Sequence, residues 1–139
     1  CQDEYNILNR NVEAELIPAM HKYGCGLLPY FPLASGLLTG KYKRTEMPEG
    51  ARLTDMPTFA NRIYLTDENF DIVDNLNKFA HKTGHSILEL AFGWMASRPT
   101  TASIIAGATK PEQIDANVAA VNWVLSQSEI DEVDKISAR

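Results

Sequence analysis

The sequence is short of cysteine, of basic charge and of long apolar runs, and each shortage removes a class of protein. Only Cys1 and Cys25 are present, and their spacing matches neither a metal knuckle nor a redox pair. A reduced, intracellular setting is the simplest expectation. Lys and Arg number 13 against 18 Asp and Glu, for a net charge of -5. That argues against nucleic acid as the main partner, because phosphate backbones need a basic face. No apolar run is long enough to span a bilayer, and no signal-peptide pattern opens the chain. His21, His81 and His85 have no second ligand at metal spacing and read as surface residues, so no metal site is expected. The chain begins with Cys1 rather than Met. It is therefore expected to be processed, trimmed or incomplete at its start, with "CQDEYN" as the tail of a strand.

What is there is the balance of a soluble globular domain: 139 residues, 45% apolar and 22% charged. Periodicity alternates short strands with helices. Residues Asn11 to Tyr23 put Val12, Leu16, Ala19, Met20 and Tyr23 on one helical face, with Pro18 as an expected defect and Gly24 as the stop. "CGLLPYF" reads as a short buried strand. From Lys43 to Leu65 the pattern is lost among Pro48, Gly50 and Pro57, which predicts a long surface loop. A helix over 66–82 turns Ile72, Val73, Leu76, Phe79 and Ala80 inward. Three capping boxes are legible, Ser86 with Glu89, Thr109 with Glu112 and Ser126 with Glu129, and each announces a helix. "TASIIAG", Thr101 to Gly107, reads as another buried strand. The last helix, near 128–137, points Ile130, Val133 and Ile136 inward. Strands alternating with helices imply an α/β fold with a parallel sheet. Only about three strands are visible, too few to close or cover such a sheet.

Two loops invite chemistry. "GLLTGKY" is comparable with a nucleotide P-loop, but three residues rather than four separate Gly36 from Gly40. Tyr42 also stands where a Ser or Thr should hold magnesium. "AGATKPEQ" leads from a strand into a helix, where free amide donors, the dipole and Lys110 would suit a phosphate. A capped helix with a solvated lysine explains the same residues. Glu129, Asp131, Glu132 and Asp134 read as a solvated face, and Trp94 and Trp123 as packing residues. No set of nucleophile, base and acid stands out.

Together, "QDEYNILNR", "PYFPLASGLLTGKY", "PEGAR" and "GATKPEQIDANV", in this order, resemble the C-terminal part of an aldo-keto reductase. The resemblance is to the bacterial-type branch, near general stress proteins and potassium-channel beta subunits. It covers nearly the whole chain. It implies that residues 1–139 form part of a (β/α)8 TIM barrel, about strands six to eight with their helices and a C-terminal extra helix, the preceding strands being absent. Gln2 would end the sixth strand, Tyr30 the seventh and Gly107 the eighth. The implied activity is NADPH-dependent reduction of a small carbonyl substrate in the cytoplasm.

The resemblance also implies roles for particular residues. Gln2 would bond the nicotinamide carboxamide and Tyr30 would stack on the nicotinamide ring. Phe31, Pro32, Leu33, Ser35 and Gly36 would follow the ribose and pyrophosphate, with Lys41 reaching the latter. Gly107, Ala108, Thr109 and Lys110 would hold the adenosine 2'-phosphate, and Gln113 and Asn117 would face the adenosine. Many relatives carry a basic residue at Gln113 or beside it, whereas here Lys110 is the one strong cation of the loop. Many carry a serine at Phe31, so the site near the cofactor is expected to be bulkier and more apolar. The family's proton-relay Asp, Tyr, Lys and His belong to earlier strands and are not assigned; neither Tyr5 nor Tyr30 takes the proton donor's place. The chain alone is therefore expected to be inactive. It is expected to expose Leu27, Leu28, Ile104 and Ile105 unless self-association or a further part of the barrel covers them. A cofactor-sensing regulatory subunit and a phosphate-binding α/β domain of another family are the competing readings.

Overall fold

The computed structural model describes residues 1–55 and 63–139. The chain begins with β1 (Gln2–Glu4), which pairs in parallel with β2 (Leu28–Tyr30) in the register Gln2↔Leu28, Asp3↔Pro29, Glu4↔Tyr30. A 3-10 turn (Asn11–Glu13) and helix α1 (Leu16–Tyr23) connect them. Proline fits only the first turn of a helix without losing a bond, and Pro18 lies there because α1 begins at Leu16. The single helix expected from Asn11 is accordingly divided, and Pro18 does no damage. Val12 and Met20 are buried as expected, but Ala19 and Tyr23 are exposed. Gly24 closes α1 in the left-handed conformation, φ 65.

Thr101 to Gly107 is the largest departure from expectation. It runs beside β2, with Leu27 N donating to Thr100 O (2.7 Å), Ala102 N to Leu27 O (2.8 Å) and Ile105 N to Pro29 O (2.9 Å). Gly26 permits the approach, since a Cβ there would lie 2.8 Å from that of Ala102. The segment is nevertheless not buried: Ala102, Ser103 and Ile105 are exposed. Apolar sequence becomes a buried strand only between two neighbours, and among the described residues these hydrogen bonds tie it along β2 alone. Of the residues expected to be bare, Leu28 and Ile105 are exposed, Ile104 is half-buried and Leu27 is fully buried.

Helices α3 (Asp67–Lys82) and α4 (Ile87–Ala96) carry the core. Ile72, Val73, Leu76 and Ala80 of α3 pack toward Leu90, Ala91, Trp94 and Met95 of α4, together with Tyr5, Leu27, Leu37 and Leu38. Helix α5 (Pro111–Ala120) leaves Ile114 and Val118 exposed. Helix α6 (Gln127–Ile136) buries Val133 and half-buries Ile130 and Ile136. The boxes of Ser86 with Glu89 and Ser126 with Glu129 form as read. The third is displaced by one residue: Lys110 is the N-cap, and Gln113, not Glu112, supplies the returning acceptor.

The expected surface loop over 43–65 is only partly that, and its residues 56–62 lie outside the described residues. A single turn, α2 (Arg52–Asp55), sits within it, and Ala51, Leu53 and Tyr64 are buried. Leu53 N donates to Tyr42 Oη at 3.0 Å, which fastens the turn to the preceding loop.

Asp134 is not part of a solvated face. Its Oδ1 accepts from Arg10 Nη1 (2.9 Å), Trp94 Nε1 (2.8 Å) and the Arg98 guanidinium. Arg98 also covers the Trp94 ring, 4.1 Å from its centroid. A buried indole N–H needs an acceptor, and α6 provides one. His21 and His81 are exposed, whereas His85 is half-buried, stacked on Trp123 at 3.9 Å and paired with Glu89 at 3.2 Å.

Candidate cofactor-binding site

The sequence-derived site residues fall into two clusters at one end of the parallel segments. The first leaves β2 at Tyr30. Phe31, Ala34 and Ser35 all have left-handed backbone, with φ of 52, 48 and 57. Such residues cost about 1–3 kcal/mol each and persist only where the surroundings over-determine them. Here the surroundings are hydrogen bonds: Ala34 N to Phe31 O (2.9 Å), Gly36 N to Leu33 O (2.8 Å), Leu38 N to Leu33 O (3.1 Å) and Thr39 Oγ1 to Gly36 O (2.8 Å). The result is a kinked run of tight turns (Ala34–Thr39), with non-helical backbone at Ser35, Gly36 and Leu38, whose apolar residues are buried, not a phosphate-cradling P-loop.

Within this cluster Pro32 and Ser35 are buried and shape the loop from inside. Tyr30, Phe31, Leu33 and Gly36 are half-buried, and the rings of Tyr30 and Phe31 meet edge to face at 5.3 Å. Lys41 is exposed, with its ammonium 5.1 Å from the Tyr42 ring centroid. Gly36 has φ 97, and a Cβ there would meet Lys41 Cε at 3.3 Å and Nζ at 3.4 Å. The glycine thus gives the lysine its place. Gln2 is exposed and pairs with Leu28, two positions short of Tyr30. It does not end its strand; Glu4 is the residue level with Tyr30.

The second cluster follows Ile105, so it emerges at the same end as Tyr30. Gly107, Ala108, Thr109, Lys110 and Gln113 are all exposed, and Asn117 is half-buried. Among the described residues, nothing lies within 4 Å of a Cβ built on Gly107. The amide donors expected to be free are partly engaged: Gln113 Oε1 accepts from Thr109 N (2.7 Å), Thr109 Oγ1 (3.2 Å) and Lys110 N (3.3 Å). Helix starts satisfy their orphan donors with side chains where they can. Asn117 also lines a cavity of about 420 Å3 with Ala108, Ile104 and Ile114.

Neither buried tyrosine near β1 is poised as an acid. Tyr5 donates to Glu13 Oε1 at 2.6 Å and packs on Trp94, and Tyr64 donates to Glu4. Burial first, and the carboxylate partner second, hold both phenols well above their ordinary value. A general acid works best near the operating pH.

Sequence reasoning missed the polar residues beneath the first cluster. Asn6 is fully buried and bonds Phe31 O, and Tyr64 joins it from far along the chain. The available signal was the carboxamide inside the apolar run "YNIL", since a buried amide must find partners.

The aldo/keto reductase family model matches residues 1–138. The chain belongs to that family. It is 42% identical to a probable voltage-gated potassium channel subunit beta of Oryza sativa subsp. japonica, over 99% of this chain and 42% of that protein. It is 36% identical to an NADH-specific methylglyoxal reductase of Escherichia coli (strain K12), over 92% of this chain and 38% of that protein. The structure of a glycerol dehydrogenase from Gluconobacter oxydans superimposes with a TM-score of 0.77 at 30% identity, covering 99% of this chain and 41% of that one. The chain thus spans about two fifths of the length of these relatives, and its α/β arrangement fits part of the family's barrel.

Proposed function

We propose that residues 1–139 are the cofactor-binding part of an NADPH-dependent aldo-keto reductase that reduces aldehydes or ketones to alcohols in the cytoplasm. In this reading β1, β2 and the 101–107 segment are the sixth, seventh and eighth strands of one barrel domain, with α6 as a C-terminal addition. The proton relay belongs to earlier strands, so the chain alone does not turn over. The carrying observation is that two clusters with complementary dinucleotide chemistry emerge at one end of neighbouring parallel segments. Barrel enzymes keep their sites at that end.

The donor set fits a nicotinamide dinucleotide. Half-buried Tyr30 offers an aromatic face for the nicotinamide, and Gln2 a carboxamide partner. Phe31, Leu33 and Gly36 form the wall beside the ribose and pyrophosphate, buried Pro32 and Ser35 hold its shape from inside, and Lys41 supplies the charge. Gly107, Ala108, Thr109 and Lys110 take the 2'-phosphate, with Gln113 and Asn117 beside the adenosine. When bound, the cofactor supplies hydride to the carbonyl carbon; these residues bind and orient it. Because Gln113 already engages the Thr109 and Lys110 amides and the Thr109 hydroxyl, the 2'-phosphate depends chiefly on the Lys110 ammonium.

A second reading, a cofactor-binding regulatory subunit with little turnover, draws on the name of the rice relative. One experiment separates the two. The full-length protein is titrated with NADPH and NADH by quenching of protein fluorescence, then given aldehydes while reduced-nicotinamide absorbance is followed. NADPH binding with carbonyl-dependent oxidation supports the reductase, and binding without oxidation the regulatory subunit. No binding of either nucleotide overturns both.

A further inference from the structure

Three residues that the cofactor reading leaves unused converge under the strand exit. Asn6 is fully buried and all of its carboxamide is engaged. Its Nδ2 donates to Phe31 O at 2.9 Å and to Tyr64 Oη at 3.1 Å, and its Oδ1 accepts from Leu8 N and Asn9 N, both at 2.9 Å. Tyr64 donates in turn to Glu4, which also accepts from Asn9 Nδ2 at 2.8 Å. Glu4 stands opposite Tyr30 in the β1–β2 register. The network therefore grips the turn from both sides of Tyr30 and Phe31.

What it grips is a strained element. Phe31 holds φ 52, a conformation that bulky residues leave unless fixed. Asn6 has two amide hydrogens; one fixes the Phe31 carbonyl, and the other is satisfied by Tyr64. Removing the Tyr64 hydroxyl leaves a buried N–H without its partner and withdraws one of the four bonds that hold the carboxamide against the Phe31 carbonyl.

We propose that Tyr64, acting through Asn6 and with Glu4, is a positioning residue for the nicotinamide end of the dinucleotide, locking the Phe31 carbonyl and so the turn that presents the Tyr30 and Phe31 rings. This rests on the cofactor reading above. Burial and the bond to Glu4 keep the phenol protonated far above neutral pH, so the lock does not open with ordinary changes of acidity.

The test uses full-length protein and NADPH. Tyr64→Phe keeps the ring and removes only the hydroxyl. The expected result is a cofactor Kd and KM raised about ten-fold, equivalent to ~1.4 kcal/mol, with the carbonyl KM unchanged and the fold intact by circular dichroism. Glu4→Gln retains an acceptor for the phenol and should bind NADPH nearly as the unaltered protein does. In a Phe31→Gly background the left-handed turn needs no lock, so Tyr64→Phe should there cost less. Unchanged NADPH affinity in folded Tyr64→Phe overturns the inference, as does an equal loss in the glycine background. If Tyr64→Phe fails to fold, Glu4→Leu takes its place and is judged by the same two comparisons. Failure of the unaltered protein to bind NADPH overturns the cofactor reading itself, a result distinct from either.

Discussion

From Tyr30 to Tyr42 the chain is pinned. Pro32, Ala34, Ser35, Leu37, Leu38 and Tyr42 are buried, and three non-glycine residues are held left-handed. From Gly107 to Gln113 every residue is exposed, and the hydrogen bonds stay within the loop and its own helix. Both loops leave neighbouring parallel segments at the same end, and both are proposed to hold the same molecule. They differ in how its position would be specified. The first loop is organised before anything binds, by packing that reaches the core. The second offers the Lys110 charge on an open surface. Preorganised contacts give affinity and orientation, because little ordering remains to be done on binding; exposed charge gives attraction that salt weakens.

The largest effect that would break this contrast lies in two glycines. Gly36→Ala forces φ 97 on an L side chain and presses its Cβ on Lys41 and Tyr42. The expected loss of stability is about 1–3 kcal/mol, read from urea unfolding of the full-length protein. Gly107→Ala meets open space and should stay within about 0.5 kcal/mol. Equal losses would mean that the two loops are held alike.

Affinity should divide in the same way. Tyr30→Ala removes the proposed stacking face and should weaken NADPH by about 1–3 kcal/mol, the usual worth of an aromatic under a base. Its unfolding midpoint should move little, since the ring is only half-buried. Lys110→Gln should cost less, about 1 kcal/mol at low salt. That cost should fall with ionic strength and be larger for NADPH than for NADH, as competition titrations at two salt concentrations would reveal. A salt-independent loss would place Lys110 in a desolvated site that the exposed loop does not provide.

Which of these features the sequence displays follows from the range of the interactions. Helix starts were legible because their chemistry is local. Ser86 and Glu89, or Ser126 and Glu129, satisfy each other within one turn. The displaced third cap failed by one residue because glutamine serves as well as glutamate there. The motifs of both loops were legible as a family pattern. Asp134 was not, because its partner Arg10 lies 124 positions away and its solvated neighbours in α6 look the same. Nor were Asn6 and Tyr64, 58 positions apart. The apolar run at 101–107 misled for a related reason: burial belongs to what packs on a segment, and composition does not state it.

The smallest expected effect separates two helix starts that look alike. At α4 the returning acceptor is a carboxylate: Glu89 accepts from Ser86 N at 2.8 Å and Ser86 Oγ at 2.8 Å, with His85 beside it. At α5 it is the neutral carboxamide of Gln113. The bonds from Ser86, backbone first, hold Glu89 below its usual 4.5. A carboxylate with a depressed folded value contributes fully above its unfolded value, and that contribution disappears as pH falls through the folded one. Glu89→Gln should therefore destabilise by less than about 1 kcal/mol near neutrality, a cap-sized effect at an exposed position. The difference from the unaltered protein should shrink once the pH drops below 4.5. Gln113→Ala should cost a similar amount with no such pH dependence, because the carboxamide it removes does not titrate. Thermal unfolding of both variants between neutral and acidic pH decides it: two parallel pH profiles would mean that the charge on Glu89 contributes nothing beyond the hydrogen bonds that an amide also makes.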